Sequence, residues 1–157
     1  MEQNFDIEQA IRDYLPQIIH MSLVTCADAQ PWACQVHYAV DDELNIYFCS
    51  SVQTRHCQEI ELNPKVAGSI TTQHFLNQKT RCVSFEGVAE RIDDVDESHP
   101  GYQAYARRLD RGPQLVQVAR KEGTARFYKI TVTDFYVSDG YEHNPPQKFH
   151  LPWKRIS

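Results

Sequence analysis

Hydroxyl side chains and two basic residues lie close together between the third predicted strand and the helix that follows it. Ser50, Ser51 and Thr54 precede this helix, and its first turn carries Arg55 and His56. The first N–H groups of a helix have no partner within the helix and carry partial positive charge, so they attract an anion. A guanidinium adds paired donors that match a phosphate. The pattern indicates a phosphate site; the alternative is an ordinary capped helix with a solvated arginine.

The other histidines and cysteines show no comparable pattern. The adjacent pair His56 and Cys57 is the only one near zinc-ligand spacing, and neighbours on a helix point in different directions. Cys34 and His37 are three residues apart in a predicted strand and face opposite sides, which argues against a nucleophilic pair. We predict no metal site and assign no catalytic acid or base.

The elements that must position this segment are mostly strands. Runs rich in β-branched and aromatic residues predict six strands, the first three in meander order, at 18–27, 31–40, 44–51, 66–72, 81–93 and 126–139. Helices are predicted at 6–15, at 54–63 and, in two pieces, between 94 and 123. Gly87, inside a strand, indicates a bulge or tight bend. This order predicts an antiparallel barrel rather than a βαβ sheet.

Composition narrows the possible functions. A chain of 157 residues fits one domain, which we take to span 1–157 with an N-terminal helix and an extended C-terminal arm. Its net charge of −5 disfavours nucleic acid and anionic membrane surfaces as partners. It has no apolar run of the roughly 20 residues that span a bilayer. The acidic N-terminal sequence and the five cysteines without a C-x-x-C motif lead us to expect a cytoplasmic protein.

The ordered motifs of the chain resemble those of the pyridoxamine-5′-phosphate-oxidase-like FMN-binding split-barrel superfamily. Four segments carry the resemblance: P-W-x-x-x-V-x-Y, L-x-I-Y-F, T-R-x-x-x-x-I-x-x-N-P-K-V-A and F-E-G-V-A-E-R-I. The T-R-H variant of the third motif is similar to that of a small bacterial branch. The resemblance implies a mainly β fold, a six-stranded antiparallel split β-barrel with peripheral helices, and FMN as the cofactor.

The resemblance also implies which residues contact the flavin. Five strand residues would run beside the isoalloxazine ring: Cys34, Gln35, Val36, His37 and Tyr38. Four would hold the ribityl chain and the phosphate: Cys49, Ser50, Arg55 and His56. Two would approach the flavin from the partner subunit: Arg81 and Cys82. Since the family's site lies in a dimer cleft, a homodimer is expected.

Two positions depart from the family's pattern. His56 stands where the family usually has a lysine, and a nearby dianion should favour the protonated imidazole. We therefore expect FMN affinity to weaken as the pH rises through the pKa of His56 in the complex. Cys82 stands where the phosphate-ester oxidases have a glutamine, and their longer C-terminal substrate-binding region is absent. Oxidation of pyridoxamine phosphate is therefore not expected.

These observations predict an FMN-dependent oxidoreductase that acts on a small molecule. The alternative is a non-catalytic dimeric module that binds or senses a flavin, haem or another aromatic ligand; for haem, His37 or His143 would be the ligand. Trp153, in the tail, would either stack over a ring at the mouth of the cleft or anchor the arm to the protein.

Overall fold

The computed structural model describes residues 4–109 and 112–155, and this part of the chain is mainly β. The α-helices are α1 (Ile7–Tyr14), α2 (Arg55–Leu62), α3 (Pro100–Leu109) and α4 (Gly112–Ala119), with a short 3₁₀ helix at Leu15–Gln17. The strands are β1 (His20–Ala27), β2 (Gln30–His37), β3 (Ala39–Val40), β4 (Ile46–Ser51), β5 (Lys65–Thr71), β6 (Arg81–Ile92), β7 (Ala125–Asp139) and β8 (Gln147–Pro152). The predicted antiparallel β class with peripheral helices is confirmed.

All strands belong to one curled antiparallel sheet in the order β2-β1-β5-β6-β7-β4-β3, and β8 pairs with β7. The two ends of this order, β2 and β3, are separated in the sequence by Tyr38 alone. The sheet must therefore curl until its two edges meet. The Tyr38 ring is fully buried, and its hydroxyl donates to the carbonyl of Leu15 at 2.6 Å.

The predicted meander is confirmed in part. The hairpin of β1 and β2 forms as expected, and β4 pairs with β3, the second part of the run 31–40, while the other edge of β4 pairs with β7. The run predicted as one strand, 31–40, is two strands because the chain bends at Tyr38 to bury its ring. The chain therefore crosses from one edge of the sheet to the other.

The predicted extended C-terminal arm forms a strand. Its residues 147–152 are β8, paired along the second half of β7, and together with the division of 31–40 this brings the number of strands in the described ranges to eight rather than six. Trp153 anchors this strand: its ring contacts Phe135, and its indole N–H donates to the carbonyl of Glu43 at 3.0 Å. Of the two roles predicted for Trp153, it therefore has the second: it anchors the arm to the protein.

Local sequence signals account for the other elements near the sheet. Asp6 caps α1 by accepting the N–H of Gln9 at 2.9 Å. The predicted irregularity at Gly87 is confirmed, because Glu86 pairs with Asp134 and Gly87 with Val132. No helix in the described ranges is long and apolar enough to cross a membrane.

Two separate clusters of buried side chains support the sheet. The larger fills its concave side between the strands, α1 and α2, and includes Met21, Phe48, Phe85 and Tyr128. The smaller lies outside β4 and β7, where α3 and α4 pack on the following residues: Ala39, Tyr47, Val95, Tyr102, Ala104, Tyr105, Leu115 and Phe127. This second cluster fixes α3 and α4 beside the ends of β2 and β4.

Replacing Gly68 by alanine tests how closely β5 packs in the sheet. A Cβ atom there would lie 2.4 Å from Cζ of Phe85 and 2.6 Å from the carbonyl oxygen of Ser22. We expect Gly68→Ala to lower the free energy of unfolding by about 1–3 kcal/mol, measured by urea denaturation. Gly112→Ala is the matched control, because among the described residues no atom outside its own helix and chain neighbours lies within 4 Å of the position that a Cβ atom would take there. Equal unfolding midpoints for the two variants would contradict this packing.

Candidate functional site

A cleft of about 600 Å³ lies where the end of β2 meets β4, the start of α2, and the helices α3 and α4. Six residues predicted from the resemblance line it: Gln35, Val36, His37, Cys49, Ser50 and His56. The curl of the sheet brings together side chains from β2 and β4, which are at opposite ends of the strand order. The volume is in the range typical of ligand and cofactor sites.

The remaining predicted residues lie outside this cleft. Cys34 packs against the main core, and Tyr38 is buried within it. Arg55 is turned toward Glu59. Arg81 is buried at the far end of β6 and paired with Asp139 at 2.6 Å. Cys82, next to it, is half-buried near Ser84. Arg81 and Cys82 were expected to act on the partner's flavin, so their role stays a prediction.

The foot of the cleft holds a polar cluster centred on His56. Nε2 of its imidazole lies 2.7 Å from the hydroxyl oxygen of Ser50 and 3.3 Å from that of Thr54. Thr54 itself does not cap α2, because its hydroxyl donates to the carbonyl of Ser51 at 2.8 Å. Burial lowers the pKa of His56, and the nearby Glu59 carboxylate only partly opposes this effect. At neutral pH the cluster therefore offers neutral hydrogen-bonding groups.

Tyr105 closes the back of the cleft. Its hydroxyl donates to the carbonyl of His37 at 2.8 Å and accepts the N–H of Cys49 at 3.1 Å. A single phenol thus bridges β2 and β4, which are not paired with each other. Tyr105 lies in the segment 94–123, which the sequence predicts only as helical, and an aromatic residue in a helix does not by itself indicate a bridge between two strands.

Two histidines stack on the β2 side of the cleft. His20 and His37 are direct cross-strand partners on β1 and β2, and their ring centroids are 4.3 Å apart at 29° between planes. Next to them, the side-chain amide of Gln35 donates to the hydroxyl of Ser22 at 2.6 Å. The sequence analysis missed His20 as a cleft residue, although the register of a short hairpin would have placed it opposite His37.

The opposite wall comes from α4 and the start of β7, which the sequence analysis also missed. Its lining residues are mostly amides and aliphatic groups: Gln114, Leu115, Gln117, Val118, Glu122, Thr124 and Ala125. Among the described residues that line the cleft, Glu122 is the only carboxylate, and neither lysine nor arginine is present. The site is thus a cleft of mixed polarity, with amides, imidazoles and aliphatic side chains in its walls and the His56 cluster at its foot.

The described residues contain no group of three or more histidine, cysteine, aspartate or glutamate side chains that could hold a metal ion.

Comparison with known proteins places the chain among relatives of this architecture. The family model for pyridoxamine 5′-phosphate oxidase matches residues 7–139. A UPF0306 protein, plu4501 of Photorhabdus laumondii, is 27% identical over 133 residues, covering 84% of this chain and 88% of the relative.

Solved structures share the fold at lower identity. A heme binding protein from Mycobacterium smegmatis superposes with a TM-score of 0.77 at 16% identity, over 96% of this chain and 59% of the other. An FAD-binding protein from Mesorhizobium loti superposes with a TM-score of 0.66 at 18% identity, over 83% of this chain and 90% of the other. At these identities the likeness establishes the fold alone.

The buried imidazole of His56 should make the protein sensitive to acid. Its pKa is lower in the folded than in the unfolded state, so the unfolded chain binds the proton more readily and folding stability is lost as the pH falls below about 6.5. His56→Gln should reduce the slope of the free energy of unfolding against pH by up to about 1.4 kcal/mol per pH unit between pH 7 and 5.

The measurement is urea denaturation at a series of pH values. His74→Gln, which removes an exposed imidazole from the loop between β5 and β6, is the matched control. If both variants kept the slope of the unchanged protein, the burial of His56 would not be the cause of acid sensitivity.

Proposed function

The chain belongs to the pyridoxamine 5′-phosphate oxidase family, and on that premise we propose that it is an FMN-dependent oxidoreductase acting on a small molecule. The observation that carries the proposal is the cleft itself, with the Ser50–His56 cluster at its foot. We propose that the flavin lies in this cleft, at the interface of a homodimer.

The walls of the cleft suit a flat aromatic ring. Val36, Leu115 and Val118 line the cleft, so a ring would meet aliphatic carbon as well as the polar side chains of the walls. On one side lies β2, an edge strand, and edge strands present backbone N–H and C=O groups without ladder partners. The polar edge of an isoalloxazine needs such donors and acceptors, which the backbone around Gln35 and Val36 would supply.

The foot of the cleft suits a phosphate. Ser50 and His56 can both donate hydrogen bonds there, Thr124 adds a hydroxyl, and α2 begins one residue before His56. The free N–H groups at the start of α2 favour an anion. Because burial lowers the pKa of His56 in the free protein, the phosphate must bind first to a neutral imidazole. The expected loss of FMN affinity with rising pH stays a prediction.

A bound FMN would supply the redox chemistry, and the protein would supply binding, orientation and the exclusion of water. We assign no side chain as a catalytic acid or base. Val36, Leu115 and Tyr105 would fix the plane of the ring, and Ser50 and His56 would fix the position of the phosphate. The open side of the cleft would admit the substrate.

The homodimer is supported by the surface next to Arg81 and Cys82. The loop that leads into β6 exposes Phe75 and Leu76, with 74% and 105% of their surface accessible. Adjacent exposed apolar side chains of this size commonly mark a contact surface. We propose that this loop packs against a second copy of the chain. We also propose that the dimer is cytoplasmic, because the odd number of cysteines is typical of reduced thiols.

A second candidate function is binding of haem without catalysis. His37 lines the cleft and stacks on His20, and an imidazole is a common ligand of haem iron. His143, the other possible ligand, has Nδ1 2.7 Å from the carboxylate of Asp139 and does not line this cleft. The Mycobacterium smegmatis neighbour, which shares the fold, is named as a heme binding protein, and this favours the alternative.

Titration of the protein with FMN tests the proposal. We expect binding that quenches flavin fluorescence and shifts the visible absorption band. Ser50→Ala should weaken FMN affinity by about tenfold or more, because a hydrogen bond to a charged group is lost. The affinity for riboflavin, which lacks the phosphate, should not change.

Ser51→Ala is the matched control, since the hydroxyl of Ser51 bonds to Thr124 and does not line the cleft. If the protein does not bind FMN but gives a Soret band with haem, and if His37→Ala abolishes this band, the second candidate function is supported. A protein that binds neither ligand would contradict both.

Sedimentation equilibrium tests the homodimer. We expect a particle of twice the chain mass, and we expect Leu76→Glu to shift it toward the monomer and weaken FMN binding, because a buried carboxylate destabilises an apolar contact. Leu62→Glu, at an exposed leucine that ends α2, is the control. A monomer that binds FMN with undiminished affinity would contradict the dimer proposal.

A further inference from the structure

Arg55, the arginine expected at the phosphate, is held outside the cleft by two partners. Its Nε donates to a carboxylate oxygen of Glu59, one helical turn along α2, at 2.8 Å. Its guanidinium carbon lies 4.4 Å from the centre of the Trp32 ring. The side chain is nearly half exposed, so the guanidinium is free to rotate once these partners release it.

Glu59 is an unusual partner because it is buried. Only 7% of the residue is accessible, and its second carboxylate oxygen accepts a hydrogen bond from the hydroxyl of Thr25. The hydrogen bonds from Thr25 and Arg55 hold the pKa of Glu59 below its usual range. Its negative charge is therefore present throughout the physiological pH range and is balanced locally by Arg55.

Arg55 and His56 are consecutive residues at the start of α2 but face different surroundings. His56 lines the cleft beside Ser50, whereas Arg55 is paired on the other side of the helix start. Consecutive Cα atoms are about 3.8 Å apart, so Arg55 is anchored next to the foot of the cleft.

We propose that Glu59 competes with the ligand's phosphate for Arg55 and thereby sets how strongly the cleft prefers a phosphorylated ligand. The inference rests on the proposed function. A doubly charged phosphomonoester can displace a single carboxylate from a guanidinium, whereas an uncharged ligand gains nothing by doing so. The apparent affinity for the phosphate is then reduced by the fraction of molecules in which Arg55 is still bound to Glu59 and Trp32.

Glu59→Gln tests the competition. Glutamine keeps the shape of the side chain, and the Thr25 hydroxyl can accept from its amide, so the fold should survive. We expect FMN to bind about tenfold more tightly than to the unchanged protein, with riboflavin affinity unchanged. Glu61→Gln, an exposed glutamate on the same helix that pairs with Arg91, is the matched control and should change neither affinity.

A double variant separates competition for Arg55 from simple charge repulsion. If Glu59 acts through Arg55, then Glu59→Gln should change FMN affinity at most about twofold when Arg55→Ala is already present. If the same tenfold gain appeared in both backgrounds, Glu59 would act only by repelling the phosphate, and the proposal would be overturned.

Tryptophan fluorescence provides a measurement that needs no flavin. The chain has two tryptophans, and Trp153→Phe keeps an aromatic ring against Phe135 while leaving Trp32 as the single reporter. Inorganic phosphate should change Trp32 emission as the guanidinium leaves the ring, and Glu59→Gln should lower the phosphate concentration required. Emission that does not respond to phosphate would overturn the proposal.

The two measurements distinguish failure of this inference from failure of the proposed function. If phosphate changes Trp32 emission but FMN does not bind, the flavin assignment fails and the competition stands. If FMN binds while Trp32 emission and the Glu59→Gln affinity stay unchanged, the flavin assignment stands and the competition fails.

Discussion

The cleft depends on one topological constraint: the two edges of the sheet are joined by a single residue. Because Tyr38 alone separates β2 from β3, the first and last strands of the sheet order cannot lie apart. Burial of the Tyr38 ring and its hydrogen bond to Leu15 hold this joint inside the protein. The sheet curls, and the end of β2 arrives beside β4 without pairing with it. The cleft is the space left at that imperfect closure.

The smaller apolar cluster then turns this gap into a site. α3 and α4 pack on the outer face of β4 and β7, and Tyr105 reaches from that packing to bridge His37 and Cys49. One residue thus belongs to the packing and to the wall of the cleft. Leu115 belongs to this cluster and Val118 packs against it, and both line the cleft. A single packing arrangement therefore supports the sheet and forms one wall of the cleft.

Features of the fold and of the cleft that depend on residues close together in the sequence could be predicted, whereas features that depend on distant residues could not. The helix over 6–15, the β1–β2 hairpin, the helix after Thr54 and the irregularity at Gly87 follow from residues within a few positions of one another, and all are confirmed. The place of β4 beside β7 and the pairing of β8 depend on partners far along the chain, which local periodicity does not encode. For the same reason Ser50 and His56 were found from their spacing, whereas Tyr105 and the wall from α4 were not.

The distribution of charge explains why the phosphate end of such a cleft would select among ligands by their charge rather than attract every anion. The chain is acidic, and three of its arginines are engaged within the protein: Arg81 with Asp139, Arg55 with Glu59, and Arg108 with the carbonyls of Leu15 and Ile18. The described lining of the cleft contains no lysine or arginine. In the proposed exchange a phosphate takes the guanidinium of Arg55 from Glu59, and the electrostatic gain is the difference between two ion pairs rather than the full value of one. The affinity of the cleft for a ligand then depends on the charge of that ligand. A dianion gains more free energy than a monoanion from the exchange of partners, and a neutral ligand gains none.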